Sequence, residues 1–261
     1  ASSWDEELIA EVGRAVGNEA RAEGVGVVLG PGLNIKRHPN CGRNFEYLSE
    51  DPLLSGRLAA AMVNGIQQTG VGACLKHFAV NNQEAHRLVV DVVVDDRTLH
   101  EIYLAGFEHA VRAARPWTVM AAYNSLNGTY CCDNHDLLTA ILRDRWGFDG
   151  LVMSDWGATN DRVVGVHAGM DLEMPGSGGI SDGDVAAAVA SGELPRSDVA
   201  TSAQRVLDLT QQAPGEQGSA ADTVAHHLLC RRAAAESTVL LRNDGILPLD
   251  PDISIAVIGA F

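Results

Sequence analysis

The sequence predicts an α/β fold, a TIM-like (β/α)8 barrel. Short apolar runs such as residues 151–153 are bounded by glycine or polar residues, which is typical of strands buried on both faces of a parallel sheet. Helical segments separate these runs, and this alternation predicts βαβ crossovers. About five such units precede Pro175, so we expect the barrel to be N-terminally incomplete, with its first strands upstream of Ala1. The alternative, an open doubly wound sheet, lacks its Gly-x-Gly-x-x-Gly signature here.

The individual elements rest on local signals. Ser3 and Glu6 have the spacing of a capping box at the start of the first helix, and Thr98 and Glu101 repeat it later. Asp51 precedes Pro52 as N-cap and N1 of another helix. The predicted order is helix 3–21, strand 25–29, helix 51–69, strand 71–76, extended segment 91–95, a helix from 98, strand 118–122, helix 134–145 and strand 151–153.

The character of the chain changes after Pro175. Alanine-rich helices are predicted over 185–191 and 199–211, and the Pro/Gly-containing segment 213–219 is typical of a linker or exposed loop. A helix over 221–237, a turn over 243–245 and a strand over 253–258 then indicate another α/β unit. We therefore expect a partial barrel domain over 1–212, a linker and connecting helix over 213–240, and the truncated start of a C-terminal α/β sandwich domain over 241–261.

Composition and charge exclude several classes of function. The 261 residues are 46% hydrophobic and 20% charged, an ordinary profile for a globular protein. The net charge of −15 argues against nucleic acid or an anionic membrane as a partner and suits a neutral or cationic small substrate. The five cysteines have no paired spacing, so neither a disulfide framework nor a zinc site is indicated. We expect no metal and no cofactor.

Asp155 is the candidate for chemistry on local sequence. It directly follows the predicted strand 151–153, and barrel enzymes place their reacting groups at the carboxyl ends of strands. A carboxylate there, beside the indole of Trp156, could attack an anomeric carbon or stabilise an oxocarbenium ion. The alternative is a loop aspartate that caps the next turn, and the local sequence does not decide between them.

Other polar residues also follow predicted strands. Lys76 and His77 stand at the end of one, where a buried charge is costly without a partner, so ligand binding competes with a structural ion pair. Arg43 could hold a sugar hydroxyl or a carboxylate with its planar fork, or simply pair with Glu46. Tyr123 could hydrogen-bond a catalytic carboxylate, or donate to backbone as a core tyrosine. Together these residues would converge on one pocket.

Several longer motifs resemble the family 3 glycoside hydrolases, in particular the β-glucosidase branch. The resemblance covers the chain from about Trp4 to its end, in order. Its motifs are Gly-Arg-Asn-Phe-Glu at 42–46, Lys-His-Phe-Ala-Val-Asn-Asn-Gln-Glu at 76–84, Met-Ala-Ala-Tyr-Asn at 120–124, Gly-Leu-Val-Met-Ser-Asp-Trp at 150–156 and Gly-Met-Asp-Leu-Glu-Met-Pro at 169–175.

The resemblance implies a retaining exo-β-glycosidase, most readily a β-glucosidase that hydrolyses terminal β-D-glycosyl residues. Asp155 matches the family's nucleophile, which forms a covalent glycosyl-enzyme. The residues that match its binding site for the terminal sugar are Arg43, Lys76, His77, Tyr123 and Trp156. Tyr123 matches the tyrosine that contacts the nucleophile, and Trp156 matches a residue that lines the sugar site.

Two acidic groups of the family have no match in the chain. The general acid/base is expected from the remainder of the same protein, in its C-terminal domain, and another sugar-binding acid from before Ala1. The loop 79–86 lacks the Pro-Gly-His of the N-acetylglucosaminidase branch. A glycoside phosphorylase and a catalytically incomplete carbohydrate-binding fragment remain as alternatives. The expected partners are a small carbohydrate or glycoside and a second copy in a homo-oligomer.

Overall fold

A parallel four-stranded sheet forms the centre of the molecule, in a computed structural model that describes residues 1–213 and 218–259. Its strands are joined in the order β1-β2-β4-β7, and two isolated bridges extend it. The three short strands β3, β5 and β6 form a separate sheet. The strands are β1 (Val27–Val28), β2 (Gly72–Phe78), β3 (Asp91–Val92), β4 (Thr118–Ala121), β5 (Ser125–Leu126), β6 (Thr129–Tyr130) and β7 (Leu151–Ser154).

The order of the main strands is that of a (β/α)8 barrel. Each strand of this sheet pairs in parallel with the next one along the chain, and Leu172 continues the series by bridging to Met153. A doubly wound sheet would reverse its order at a switch point instead. The predicted parallel α/β fold is therefore confirmed, as an arc of a barrel that the described residues do not close. Leu151, Val152 and Met153 are all buried, as expected for a strand covered on both faces.

Helices cover the outer face of this arc. Helix α1 packs on α2 and α2 packs on α4, while Phe78 and Phe107 meet edge to face at 5.2 Å between strand and helix. Segments 99–103 and 136–145 are wound as π-helix. The α-helices are α1 (Glu6–Ala22), α2 (Pro52–Gln67), α3 (Asp96–Thr98), α4 (Ala105–Ala114), α5 (Arg162–Ala168), α6 (Ile180–Ser191), α7 (Arg196–Gln212) and α8 (Thr223–Ser237).

Two predicted helix starts are wrong, for the same reason. Asp5, not Ser3, caps α1: its side chain accepts from the backbone N–H groups of Glu7 and Leu8 at 2.9 and 3.0 Å. Asp95 caps α3 in the same way. In both places the carboxylate directly before the first helical residue takes the capping position that the spacing assigns to a hydroxyl, because it accepts an N–H of the first turn as an anion. Asp51 caps α2 as predicted.

The C-terminal part differs from its prediction. Helix α8 forms and lies against α1, where His226 and Glu19 are 2.6 Å apart. The strand predicted over 253–258 does not form; these residues are exposed, and no strand pairs with them in the part of the chain that the structure describes. Four residues of the predicted linker, 214–217, and the last two of the predicted sandwich domain lie outside the described residues. None of the described helices has the length and apolarity to cross a membrane.

Candidate active site

Three neighbouring strands carry polar side chains to the same edge of the sheet. His77 is the second-last residue of β2, Tyr123 follows β4, and Asp155 follows β7. The Asp155 N–H donates to the Ala121 carbonyl at 3.0 Å, so the aspartate continues the ladder between β4 and β7. Because the strands are parallel, their carboxyl ends lie at the same edge of the sheet, and Nε2 of His77 comes within 3.6 Å of Oδ2 of Asp155.

Asp155 is buried but only partly satisfied. Asp155 has a relative exposure of 7%. One carboxylate oxygen, Oδ1, accepts from the backbone N–H of Trp156 at 2.8 Å. The other, Oδ2, has no hydrogen-bond partner and lies 3.6 Å from Nε2 of His77. A buried carboxylate oxygen without a donor is costly in a folded protein, and such groups are found where chemistry or ligand binding uses them.

The imidazole of His77 is neutral. Burial, followed by the nearby positive charges of Arg43, Lys76 and Arg87, lowers the pKa of His77 to about 2. The ring therefore brings no positive charge to Asp155 at neutral pH and acts as a hydrogen-bonding group. Asn34 holds the His77 backbone from both sides: it accepts from the N–H at 2.7 Å and donates to the carbonyl at 2.9 Å.

Glu46 joins Arg43 and Lys76. Its Oε1 accepts from Arg43 Nε, and its Oε2 lies 3.5 Å from Lys76 Nζ. The three side chains are about one-fifth exposed, so the cations are paired yet reachable from solvent. The structural ion pair weighed for Arg43 therefore exists. It engages Nε of Arg43 and leaves the guanidinium Nη groups free of Glu46, available to a hydroxyl-rich ligand.

Tyr123 bonds to backbone. Its hydroxyl donates to the Trp156 carbonyl at 2.8 Å, which is the alternative weighed against a bond to a catalytic carboxylate. Burial, the nearby charge of Asp155 and a side-chain interaction with that carboxylate raise the pKa of Tyr123, so the phenol keeps its proton and lies close to Asp155 as well as to the backbone. The Arg87 guanidinium lies 4.7 Å from the centre of the Tyr123 ring. The Trp156 side chain is partly exposed at the margin of the site.

The site contains residues that sequence reasoning missed. The Tyr47 hydroxyl contacts Nδ1 of His77, and the Asn81 amide donates to that hydroxyl. Arg87 stacks on Tyr123. Arg87 follows the Lys76–Glu84 motif within three residues, and this proximity is the one sequence signal for it. Tyr47 stands in a segment with no helix or strand, where no periodicity assigns a direction to its side chain.

The acids of segment 171–175 lie elsewhere. Asp171 pairs with Arg143 and Arg205 at 2.7 and 2.9 Å near the amino-terminal end of β7. Glu173 accepts from the Ser181 hydroxyl at 2.5 Å. No three His, Cys, Asp or Glu side chains are grouped as metal ligands within residues 1–213 and 218–259.

The assembled site has clear chemical abilities. It offers one unpartnered carboxylate oxygen, a neutral imidazole and two cations that share a single acid. Hydroxyl groups could be bound by the imidazole and the cations while the carboxylate oxygen faces a carbon atom of the same ligand. Such an arrangement suits nucleophilic attack on a polyhydroxylated molecule.

Comparison with known proteins gives a consistent family. Residues 1–209 match the family model described as glycosyl hydrolase family 3 N terminal domain. The thermostable β-glucosidase B of Acetivibrio thermocellus is 56% identical over 100% of this chain and 35% of its own length. An exo-α-(1→6)-L-arabinopyranosidase of Bifidobacterium longum is 48% identical over 100% of this chain and 36% of its own length.

Solved structures agree with the sequences. The β-glucosidase 3B of Thermotoga neapolitana, in complex with α-D-glucose, superposes with a TM-score of 0.93 at 46% identity, over 95% of this chain and 36% of that one. The chain thus spans about a third of the length of these relatives. With the motifs, the sheet order and the family model in agreement, the chain belongs to glycosyl hydrolase family 3.

Proposed function

We propose that the protein containing this chain is a retaining exo-β-glycosidase of the β-glucosidase type. Asp155 attacks the anomeric carbon of a terminal sugar and breaks the glycosidic bond, the aglycone leaving with a proton from a separate acid/base. Water, deprotonated by the same acid/base, then hydrolyses the covalent glycosyl-aspartate and releases the sugar. Arg43, Lys76 and His77 bind hydroxyls of that sugar. The relatives named β-glucosidase, at 56% and 45% identity, support this assignment.

One observation carries the proposal. Asp155 Oδ2 is buried at the carboxyl end of β7, lacks a donor and lies 3.6 Å from Nε2 of His77. A structural aspartate would have both oxygens bonded, whereas a nucleophile must keep one lone pair free for the anomeric carbon. The neutral His77 beside it adds no charge that would bind this oxygen in an ion pair.

A retaining reaction needs a second carboxyl group about 5–5.5 Å from the first. The three glutamates within the family motifs have other partners: Glu46 pairs with Arg43 and Lys76, Glu84 with Arg87 at 3.0 Å, and Glu173 with Ser181. We infer that the acid/base comes from the remainder of the protein. In the same proposal, residues 1–212 form the barrel domain, 213–240 connect it, and 241–261 begin the α/β sandwich domain.

The sugar itself has two candidates. The relatives named β-glucosidase favour glucose, and the relative named exo-α-(1→6)-L-arabinopyranosidase favours a pentopyranose without the ring hydroxymethyl group. Both sugars present vicinal hydroxyls to the cations and the imidazole, so the motif residues suit either.

Covalent trapping tests the proposal. The full-length protein is incubated with 2-deoxy-2-fluoro β-glucosides and α-L-arabinopyranosides that carry a good leaving group, then digested and analysed by mass spectrometry. We expect a glycosylated peptide whose modified residue is Asp155, with faster labelling by the preferred sugar. Modification of another residue, or inversion of configuration in the released sugar, would refute the mechanism. Product analysis with and without phosphate separates hydrolysis from phosphorolysis.

A further inference from the structure

Behind His77 lies a chain of buried side chains that the proposed chemistry does not use. The Tyr47 hydroxyl is 3.1 Å from Nδ1 of His77, and the Asn81 amide nitrogen is 3.1 Å from the same hydroxyl. All three residues have relative exposures of 3% or less. The positions of their polar hydrogens are therefore determined by hydrogen bonds among these side chains, because bulk water does not reach them.

The order of donors in this chain is fixed by chemistry. An amide nitrogen donates and does not accept, so the Tyr47 oxygen is the acceptor of the Asn81 bond. The hydroxyl has one hydrogen, and burial raises the pKa of Tyr47, so it keeps that hydrogen. Its remaining neighbour in the chain is Nδ1 of His77, which must then accept.

A second observation leads independently to the same assignment. The other ring nitrogen, Nε2, points to the unpartnered Oδ2 of Asp155 at 3.6 Å. A lone pair on Nε2 would face the lone pairs of a carboxylate, which is repulsive, whereas an N–H there is attracted to it. A neutral imidazole has a single N–H, so an acceptor at Nδ1 and a donor at Nε2 are one and the same tautomer.

We propose that Tyr47 and Asn81 are positioning residues that hold His77 in the tautomer with its hydrogen on Nε2, so that this N–H is offered to a sugar hydroxyl beside Asp155. The sugar that would receive this N–H is the substrate of the proposed function, so that part of the proposal rests on the proposed function. The tautomer itself does not, because it follows from contacts within the protein.

The surroundings fix the geometry of this relay. The Tyr47 ring lies against Gly32, where a Cβ would be 3.0 Å from two ring carbons, so a larger residue there would press on the ring. The ring meets the imidazole edge to face, with centroids 6.0 Å apart. With the His77 backbone held by Asn34, the position of the hydrogen is the remaining variable, and the relay determines it.

Neutron diffraction tests the tautomer directly. In deuterium-exchanged crystals of the full-length protein, without ligand, we expect a deuteron on Nε2 of His77, none on Nδ1, and the Tyr47 deuteron directed to Nδ1. A deuteron on Nδ1, alone or with one on Nε2, would overturn the proposal. This result does not depend on which substrate the enzyme takes, so it separates failure of the relay from failure of the proposed function.

Kinetics of three variants test its consequence. Tyr47→Phe removes the hydroxyl and should lower kcat/KM about tenfold, mainly in kcat, because hydrogen bonds to the sugar strengthen in the transition state. Asn81→Asp is nearly isosteric but accepts, so it draws the Tyr47 hydrogen away from His77 and should lower kcat/KM by about a hundredfold. Tyr103→Phe, on the 99–103 helical turn, is the matched control and should keep wild-type activity.

The double variant distinguishes a relay from a simple charge effect. Without the Tyr47 hydroxyl, the carboxylate introduced by Asn81→Asp has no hydrogen to draw away. Activity of Tyr47→Phe/Asn81→Asp should therefore recover to that of Tyr47→Phe alone, a non-additivity that independent structural damage does not produce. A double variant as poor as Asn81→Asp, or wild-type activity in both single variants, would contradict the relay.

Discussion

Asp155 and Asp171 are two buried aspartates in the same part of the sheet, and their surroundings are opposite. Asp155 lies at the carboxyl end of β7 with one oxygen unpartnered and a neutral imidazole 3.6 Å away. Asp171 lies near the amino end, where its oxygens accept from Arg143, from Arg205 and from the backbone N–H of Val152. Its side chain is wholly buried.

The contrast separates the proposed site of reaction from a site that contributes to stability. Arg143 also donates to the carbonyls of Gly150 and Gly169. Arg143 and Asp171 therefore connect the segment before β7 to the segment that leads to the bridging residue Leu172. Burial lowers the pKa of Arg143 to about 10, which still leaves it charged at neutral pH. In barrels the carboxyl end carries the chemistry and the amino end the stability. The two aspartates differ in the number of donors around them, and the proposed function assigns chemistry to the one with fewer.

Loss of Asp155 should have the largest effect. In the full-length protein, Asp155→Ala should lower kcat by about 10⁴-fold or more, because it removes the nucleophile. The free energy of unfolding should stay the same or rise by about 1 kcal/mol, since an unpartnered buried oxygen is lost with it. Steady-state hydrolysis of an aryl β-glucoside and thermal unfolding measure the two quantities. Near-normal turnover would remove Asp155 from the mechanism.

Loss of Asp171 should reverse that pattern. Asp171→Asn leaves the buried Arg143 cation without its anion and should lower the free energy of unfolding by about 3–5 kcal/mol. Asp198→Asn is the control, because its partner His167 is more than half exposed and the pair is worth about 1 kcal/mol or less. Urea titration of both variants measures the difference. Lost activity with unchanged unfolding would instead place Asp171 in the chemistry.

The sequence predicts the strands and the reacting edge well because both depend on local pattern. The apolar runs around 72–78, 118–121 and 151–154 are strands, and the polar residues after them meet at one edge. The satisfied state of Asp171 was not predictable, since Arg143 and Arg205 approach it from helical segments 28 and 34 residues away. The same holds for Tyr47, whose contact with His77 spans 30 residues.

The C-terminal segment teaches the complementary lesson. The run Ile-Ser-Ile-Ala-Val-Ile at 253–258 has the composition of a strand, and the structure leaves it unpaired and exposed. A strand needs a neighbour for its backbone hydrogen bonds, and apolar composition does not supply one. At the two helix starts, similarly, the spacing identified the right region, but the carboxylate directly before the helix accepts the backbone N–H.

Acid should destabilise the reacting end through His77. Its pKa is about 2 in the folded protein and about 6.5 in an unfolded chain, so below pH 6.5 the unfolded state binds an extra proton. Stability from this group is therefore lost as pH falls from about 6.5 and is level above it, with a slope of up to about 1.4 kcal/mol per pH unit. His77→Gln should remove that slope between pH 4 and 6 in urea titrations; His167→Gln, at an exposed ring, should not. Equal slopes in wild type and His77→Gln would mean that the imidazole is charged beside Asp155.

Loss of Arg205, the partly exposed partner of Asp171, should have the smallest effect. Arg205 is about one-quarter exposed, so Arg205→Gln exposes its partner oxygen to water and leaves the buried bond to Arg143 intact. We expect a loss of about 1–2 kcal/mol in the free energy of unfolding, the range for one hydrogen bond to a charged group. Arg97→Gln, at the exposed pair with Glu101, should leave unfolding unchanged. A loss from Arg205→Gln as large as that from Asp171→Asn would show that the two arginines act as one unit. In that case the stability contributed by Asp171 would depend on its complete set of donors rather than on the single buried pair with Arg143. Asp155 lacks such a complete set of donors.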